Sequence, residues 1–166
     1  MLDPRDCQPG LEPTKFPMPI AFFLKSPEYG WLSNLSEDGL ALDGIHWRSV
    51  EHYYQAQKHA GTEAAERIRR ADSPLKARKA GQDRSLVPRS DWPAVKEDVM
   101  RRAVQAKFEQ NRRLRERLIA TGNDMLIHES GSDLFWGRNR DGAGDNRLGI
   151  ILMEVREAVR GGARAT

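Results

Sequence analysis

The chain has 166 residues, of which 39% are hydrophobic and 31% charged, with a formal net charge of +3. That length suits one domain around one core, the balance excludes a disordered or collagen-like chain, and the apolar runs Ile20 to Leu24 and Leu148 to Met153 fall far short of the ~20 residues of a membrane-spanning helix. A charge of +3 is too small for a domain that tracks a nucleic-acid backbone and fits a local phosphate pocket instead.

Residues 1–19 carry Pro4, Pro9, Pro13, Pro17 and Pro19 without apolar patterning, which predicts a loosely draped arm rather than a helix or strand. The arm lacks the apolar core of a secretion signal, so a cytoplasmic location is expected. Its Cys7 is the one cysteine of the chain, so neither an intrachain disulfide nor a thiolate zinc cluster is expected. The domain is expected over residues 20–160, with 161–166 as a tail.

Ile20 to Leu24 reads as a short buried strand. Leu40 to Leu42 and Ile45 to Trp47 flank Asp43-Gly44, a dipeptide suited to a two-residue hairpin turn. From Ser49 the pattern becomes helical. Ser49 is a candidate cap for Val50 to Ala60, stopped at Gly61, and Thr62 for Glu63 to Ala71. Ser73-Pro74 opens Leu75 to Ala80, stopped at Gly81.

Asp91 precedes the longest periodic segment, in which Val95, Val99, Ala103, Ala106 and Phe108 recur at helical spacing. Asn111 restarts a helix through Leu114 and Leu118 to Gly122, Met125 to Ile127 reads as a brief strand, and Leu148 to Val159 as a final helix. The fold class is therefore predominantly α with a few short β-strands in a single compact domain. Arginines 67, 69, 70, 112, 113, 115 and 117 alternate with Glu66 and Glu116, the pattern of solvated helix faces.

At 3.6 residues per turn, Glu51, Tyr54, Gln55 and Lys58 share one face of the helix after Ser49. Such a face either meets solvent or lines a cleft in which the groups satisfy one another. Tyr54, Trp92 and Trp136 offer flat surfaces for a base, although packing alone also explains a tryptophan. Gly144 to Gly149 precedes the last helix, where free N–H groups suit an anion or simply a cap. His46, His52, His59 and His128 lack zinc-ligand spacing and read as packing or hydrogen-bonding residues, so no metal is expected. No Gly-x-Ser-x-Gly turn of a serine hydrolase occurs.

The stretch SVEHYYQAQK, Ser49 to Lys58, resembles the SEHYFQAQK signature of the YbiA/NADAR family. Tyr29 to Asn34, Gly81 to Arg84, Asp91-Trp92 through Lys107-Phe108, Leu134 to Gly137 and Asn146 to Gly149 are similar to the family's other motifs, in order. The resemblance spans about Phe22 to Val159. It implies a mainly helical N-glycosidase without a cofactor. By position it implies Glu51, Lys58 and Asp133 as catalytic residues.

Substrate-binding roles are then expected for Asn34, Tyr54, Trp92, Trp136, Arg78, Arg84, Gly137 and Asn146, with the arginines and Asn146 holding phosphate. Glu51 would stabilise oxocarbenium charge on a ribose, and Lys58 would alternatively attack the anomeric carbon. The implied substrate is a phosphorylated ribosyl small molecule such as an early ribosylamino-pyrimidine phosphate of riboflavin synthesis. Alternatives are ADP-ribosyl-guanine in nucleic acid and a non-catalytic ADP-ribose or nucleotide-binding module. The loop Arg138 to Asp141 departs from the family pattern and is expected to choose among substrates.

Overall fold

The computed structural model describes residues 18–162. Most of the Pro-rich arm with Cys7, and residues 163–166 of the expected tail, lie outside them. Six helices carry the domain: α1 (Val50–Lys58), α2 (Glu63–Arg69), α3 (Pro74–Gly81), α4 (Trp92–Gln110), α5 (Arg112–Ala120) and α6 (Arg147–Gly162). Four strands of three residues each accompany them: β1 (Ile20–Phe22), β2 (Leu40–Leu42), β3 (Ile45–Trp47) and β4 (Leu126–His128). No described helix is long and apolar enough to cross a membrane.

Local chemistry places the helix starts. The hydroxyls of Ser49, Thr62 and Ser73 and the amide oxygen of Asn111 each accept a hydrogen bond from a backbone N–H in the first turn of α1, α2, α3 and α5, satisfying donors that the helix cannot. Asp91 precedes α4 as expected but makes no side-chain cap. Its carboxylate is taken by Arg89, at 2.5 and 2.7 Å. Asp43 and Gly44 both adopt positive φ, 55° and 73°, and turn β2 into β3 as an antiparallel hairpin.

α4 is the central strut. It packs against α1, α5, α6 and β2. Being covered on several sides, it buries Met100, Val104 and Lys107 in addition to the expected Val99, Ala103, Ala106 and Phe108. α1 in turn packs against α2, α3 and α4. The core runs between these layers through Phe22, Tyr53, Ile68, Met100, Phe108, Leu118, Leu148 and Ile151.

Two expectations are corrected here. The first strand ends at Phe22, the single buried residue of its three, because the chain turns at once: Ser26 N–H donates to the Phe23 carbonyl at 2.9 Å. β1 pairs in parallel with β4, Phe22 opposite His128. In the Gly-rich loop before α6, four successive N–H groups are taken by the chain itself rather than offered to an anion. Asp145, Asn146, Arg147 and Leu148 donate theirs to the carbonyls of Leu134, Gly137, Phe135 and Trp136 at 2.7 to 3.2 Å.

Asn146 is the knot of this arrangement. It is buried, with φ 51°. Its side-chain oxygen accepts from the His128 N–H and its amide donates to the Leu126 carbonyl, both at 2.9 Å. Replacing it by Ala strands two buried backbone groups of β4 and forces a Cβ residue without a local partner into the left-handed region. Asn146→Ala is expected to lower stability by about 2–4 kcal/mol, read from urea unfolding.

Candidate active site

α1 enters the protein with its polar face inward. Glu51, Tyr54 and Gln55 are all buried, at 3%, 8% and 4% exposure, so the face lines a cleft rather than meeting solvent. That cleft is a cavity of about 460 Å³, walled by α1, α3, the start of α4, the segments 23–25 and 34–35, and the stretch 128–136. Of the residues expected at the site, it brings together Asn34, Glu51, Tyr54, Lys58, Arg78, Trp92, Asp133 and Trp136.

Glu51 lies in the first turn of α1, where the helix dipole favours an anion. The side-chain amide of Gln55 donates to one carboxylate oxygen at 2.8 Å and that of Asn34 to the other. The backbone completes the link to Asn34, whose carbonyl accepts the Glu51 N–H at 3.0 Å. Burial pushes the Glu51 carboxyl above its ordinary range. The Gln55 amide, the Arg78 cation and the Asn34 amide pull it down, Asp133 adds to the rise, and burial wins.

Lys58 is two turns further along the same face and half-buried, with its ammonium donating to the Gly81 carbonyl at 3.0 Å. Burial pushes its amine down and Glu51 opposes the shift, a balance that raises the fraction of neutral, nucleophilic amine. α3 approaches closely enough that a Cβ on Gly81 would lie 2.3 Å from Gln55 Oε1. Arg78, on the same helix, reaches the cavity and forms no ion pair among the described residues.

Asp133 is held by its own loop. Its N–H donates to Ser130 Oγ at 3.0 Å, and its Oδ1 accepts from the Trp136 N–H at 3.1 Å. Tyr54 stands between two tryptophans, with ring centroids 4.9 Å from Trp92 and 5.5 Å from Trp136, so the three form one aromatic wall. Trp92 is both packed in the core and at the edge of the cavity.

Three expected residues are elsewhere. Arg84 is exposed beyond α3 and Asn146 supports β4, so neither borders the cavity. Gly137 is buried behind it, where a Cβ would lie 2.7 Å from the His128 carbonyl. The loop Arg138 to Asp141 is also set back from the cavity: Arg138 forms a bridge with Glu129, and its N–H donates to the His128 carbonyl at 2.8 Å. Residues 128–133 face the cavity in its place.

Sequence reasoning placed Gln55 on the cleft-lining face of α1 but passed over two other contributors, Lys25 and His128. Lys25 and Gln55 border the cavity, and so does His128, whose ring lies 3.3 Å from the Trp136 carbonyl and stacks on Phe22. Gln55 was visible on the helix face; the other two depend on the β1–β4 pairing. His52 and His59 bond to backbone carbonyls, as expected of packing histidines. Among the described residues no group of three or more His, Cys, Asp or Glu is placed to hold a metal ion.

The site thus gathers, in one small helical domain, a buried carboxylate bracketed by amides, a second carboxylate, an aromatic wall and cations. The NADAR domain model matches residues 22–160. The chain is 45% identical over 138 residues to N-glycosidase YbiA of Escherichia coli, covering 83% of this chain and 86% of that one. The NMR structure of E. coli YbiA superposes with a TM-score of 0.83 at 41% identity, over 90% of this chain and 89% of that one.

N-glycosidase Npun_R5314 of Nostoc punctiforme is 40% identical over 146 residues, 86% of this chain and 94% of that one. Riboflavin biosynthesis protein VVA0006 of Vibrio vulnificus is 39% identical over 142 residues, 86% of this chain but 39% of that longer protein. The chain belongs to the NADAR family.

The buried charge has a cost that can be measured without substrate. A carboxyl whose folded-state pKa exceeds its unfolded value carries no penalty below the unfolded value and the full penalty above the folded one. Glu51→Gln removes that penalty. The variant is expected to melt above the wild type at neutral pH, with the gap closing as pH falls into the ordinary range of a free carboxyl, read by thermal unfolding across pH.

Proposed function

We propose that the cavity hydrolyses the bond between the ribose anomeric carbon and a base nitrogen in a phosphorylated, nucleotide-like small molecule. As a NADAR-family member 40–45% identical to proteins named N-glycosidase, the chain is a hydrolase of N-glycosyl bonds; the proposal concerns its substrate and the part each residue plays. The observation that carries it is the pairing, in one cavity, of a buried carboxylate with an aromatic wall and an unpaired guanidinium.

Cleaving an N-glycosidic bond builds positive charge on the ribose. Glu51, whose two carboxyl oxygens accept from amides and which is shielded from water, is suited in its anionic form to stabilise that charge, since a fixed charge acts more strongly in a poorly hydrated site. Asp133 has one oxygen committed to the Trp136 N–H. The other is available to orient a ribose hydroxyl or the attacking water. Tyr54, Trp92 and Trp136 suit the base, and Arg78 suits the phosphate.

The name of the Vibrio relative, a riboflavin biosynthesis protein, favours ribosylamino-pyrimidine phosphates among the substrates of this shape. The modest net charge of +3 favours a small molecule over a nucleic-acid strand.

A covalent route has its own support in the half-buried Lys58 on the Glu51 face. There the neutral amine attacks the anomeric carbon as the bond to the base breaks, and the base departs with one amine proton. The ring C–O bond then opens with its oxygen taking the other, leaving a Schiff base on Lys58 that water hydrolyses to free the sugar and the amine. Borohydride added during turnover is expected to leave a ribose-phosphate adduct on Lys58 by mass spectrometry. Turnover without any adduct would leave direct water attack as the route.

The proposal itself is tested by incubating the purified protein with a ribosylamino-pyrimidine phosphate and with an ADP-ribosyl-guanine oligonucleotide and following free base. Glu51→Gln is expected to lower kcat on the first by about 100-fold or more, the usual range for a reacting carboxyl. Base released from the oligonucleotide alone would reassign the substrate to nucleic acid, and base released from neither would place the substrate outside both classes and overturn the proposal.

A further inference from the structure

We infer that Lys107, a side chain outside the cavity, is a positioning residue that holds Asn34 against the Glu51 carboxylate. The inference rests on the role proposed for Glu51. Lys107 lies in the last turn of α4 and is 1% exposed, an unusual place for a lysine unless its charge is answered. Its ammonium has three donors, and the segment between Trp31 and Ser36 supplies three acceptors. They are the Trp31 carbonyl at 2.6 Å, the Ser33 carbonyl at 3.1 Å and Ser36 Oγ at 2.6 Å. Asp38 stands 3.6 Å away as the counter-charge.

Those acceptors bracket Asn34 on both sides. The segment is otherwise short of regular structure, a single 3-10 turn at Gly30–Leu32 followed by turns. Its own bonds are local: Ser36 N–H and Oγ both return to the Ser33 carbonyl, and Leu35 N–H to Ser33 Oγ. Two longer-range ties leave the segment near Asn34, the Lys107 ammonium on one side and α1 on the other, through the Glu51 N–H and the Glu51 carboxylate. Lys107 therefore fixes from behind the amide that Glu51 meets in front. A lysine that merely filled core volume would have no need of three acceptors on one loop.

Removing the Asn34 donor takes away one of the bonds that lower the Glu51 carboxyl, so the state of Glu51 reports on the clamp. The test follows the Glu51 side-chain carboxyl by carbon-13 NMR across pH in the wild type, Asn34→Ala, Lys107→Met and the double variant. Both single variants are expected to move the Glu51 midpoint upward, and the double variant no further than the larger single shift. A general loss of packing would lower the melting temperature without moving the midpoint.

A midpoint unmoved in folded Lys107→Met, or two shifts that add, overturns the inference. Where Lys107→Met does not fold, Ser36→Ala removes one acceptor with less disruption. It must then give a smaller upward shift that vanishes in the Asn34→Ala background, and no shift counts against the clamp. Activity of Glu51→Gln judges the catalytic reading separately, since the titration does not depend on turnover.

Discussion

A carboxylate taken out of water in the first turn of α1 sets the terms for the rest of the molecule. Desolvating a charge costs several kcal/mol unless it is answered by donors or opposite charge, and Glu51 is answered from several directions at once. Gln55 answers from the same helix, one turn on, Asn34 from the loop before the hairpin, and Arg78 from α3. Each answer requires its element to be where it is. α1 cannot move relative to the 31–38 segment or to α3 without exposing or orphaning the charge, so the packing of helix on helix and the electrostatics of the site are one constraint.

The opposite wall of the cavity is built on a different principle. Residues 128–136 are a loop for most of their length, and their rigidity comes from backbone pairing. β4 is held by β1 on one side and by the Asn146 side chain on the other, while the carbonyls of residues 134–137 accept the first N–H groups around the start of α6. The helix N-terminus is thereby spent on structure. What it holds in place is Asp133 and Trp136, the carboxylate and the aromatic edge that face Glu51 and Tyr54. A phosphate at that helix end would have to displace four backbone hydrogen bonds, which is why the cationic side chains of the cavity are the better candidates for it.

The parts legible in the sequence were those set by local chemistry. Ser49, Thr62, Ser73 and Asn111 cap the helices they precede because a cap needs only its own first turn, and Asp43-Gly44 turns the hairpin because both residues tolerate positive φ. The shared face of Glu51, Tyr54, Gln55 and Lys58 was equally legible, since 3.6 residues per turn fixes it. Whether that face met water or a cleft was not, because burial depends on α3, α4 and the 128–136 loop closing over it.

The residues misplaced by sequence all depend on long-range pairing. β1 and β4 lie more than a hundred positions apart, and nothing in either marks the other. Asn146 sat in a polar, glycine-rich loop that resembles an anion site, and its real partners are 18 and 20 residues away. The burial of Lys107 is set in the same way, by acceptors on Trp31, Ser33 and Ser36 more than seventy positions away.

Gly81 shows how tightly the chemistry is tied to one helix crossing. Its missing side chain lets α3 approach Gln55, and its carbonyl accepts from Lys58 at 3.0 Å and lies 3.1 Å from the ring of His59. Three turns of two helices thus share one contact point. Arg78, one turn before Gly81 on α3, is carried with it, and so the separation of the Glu51 carboxylate and the Arg78 guanidinium across the cavity is fixed by the same approach. Under the proposed reading, a phosphorylated ribosyl substrate has to match the spacing of Glu51 and Arg78, and because both stand on helices locked at one crossing, that spacing selects by length rather than adapting to it.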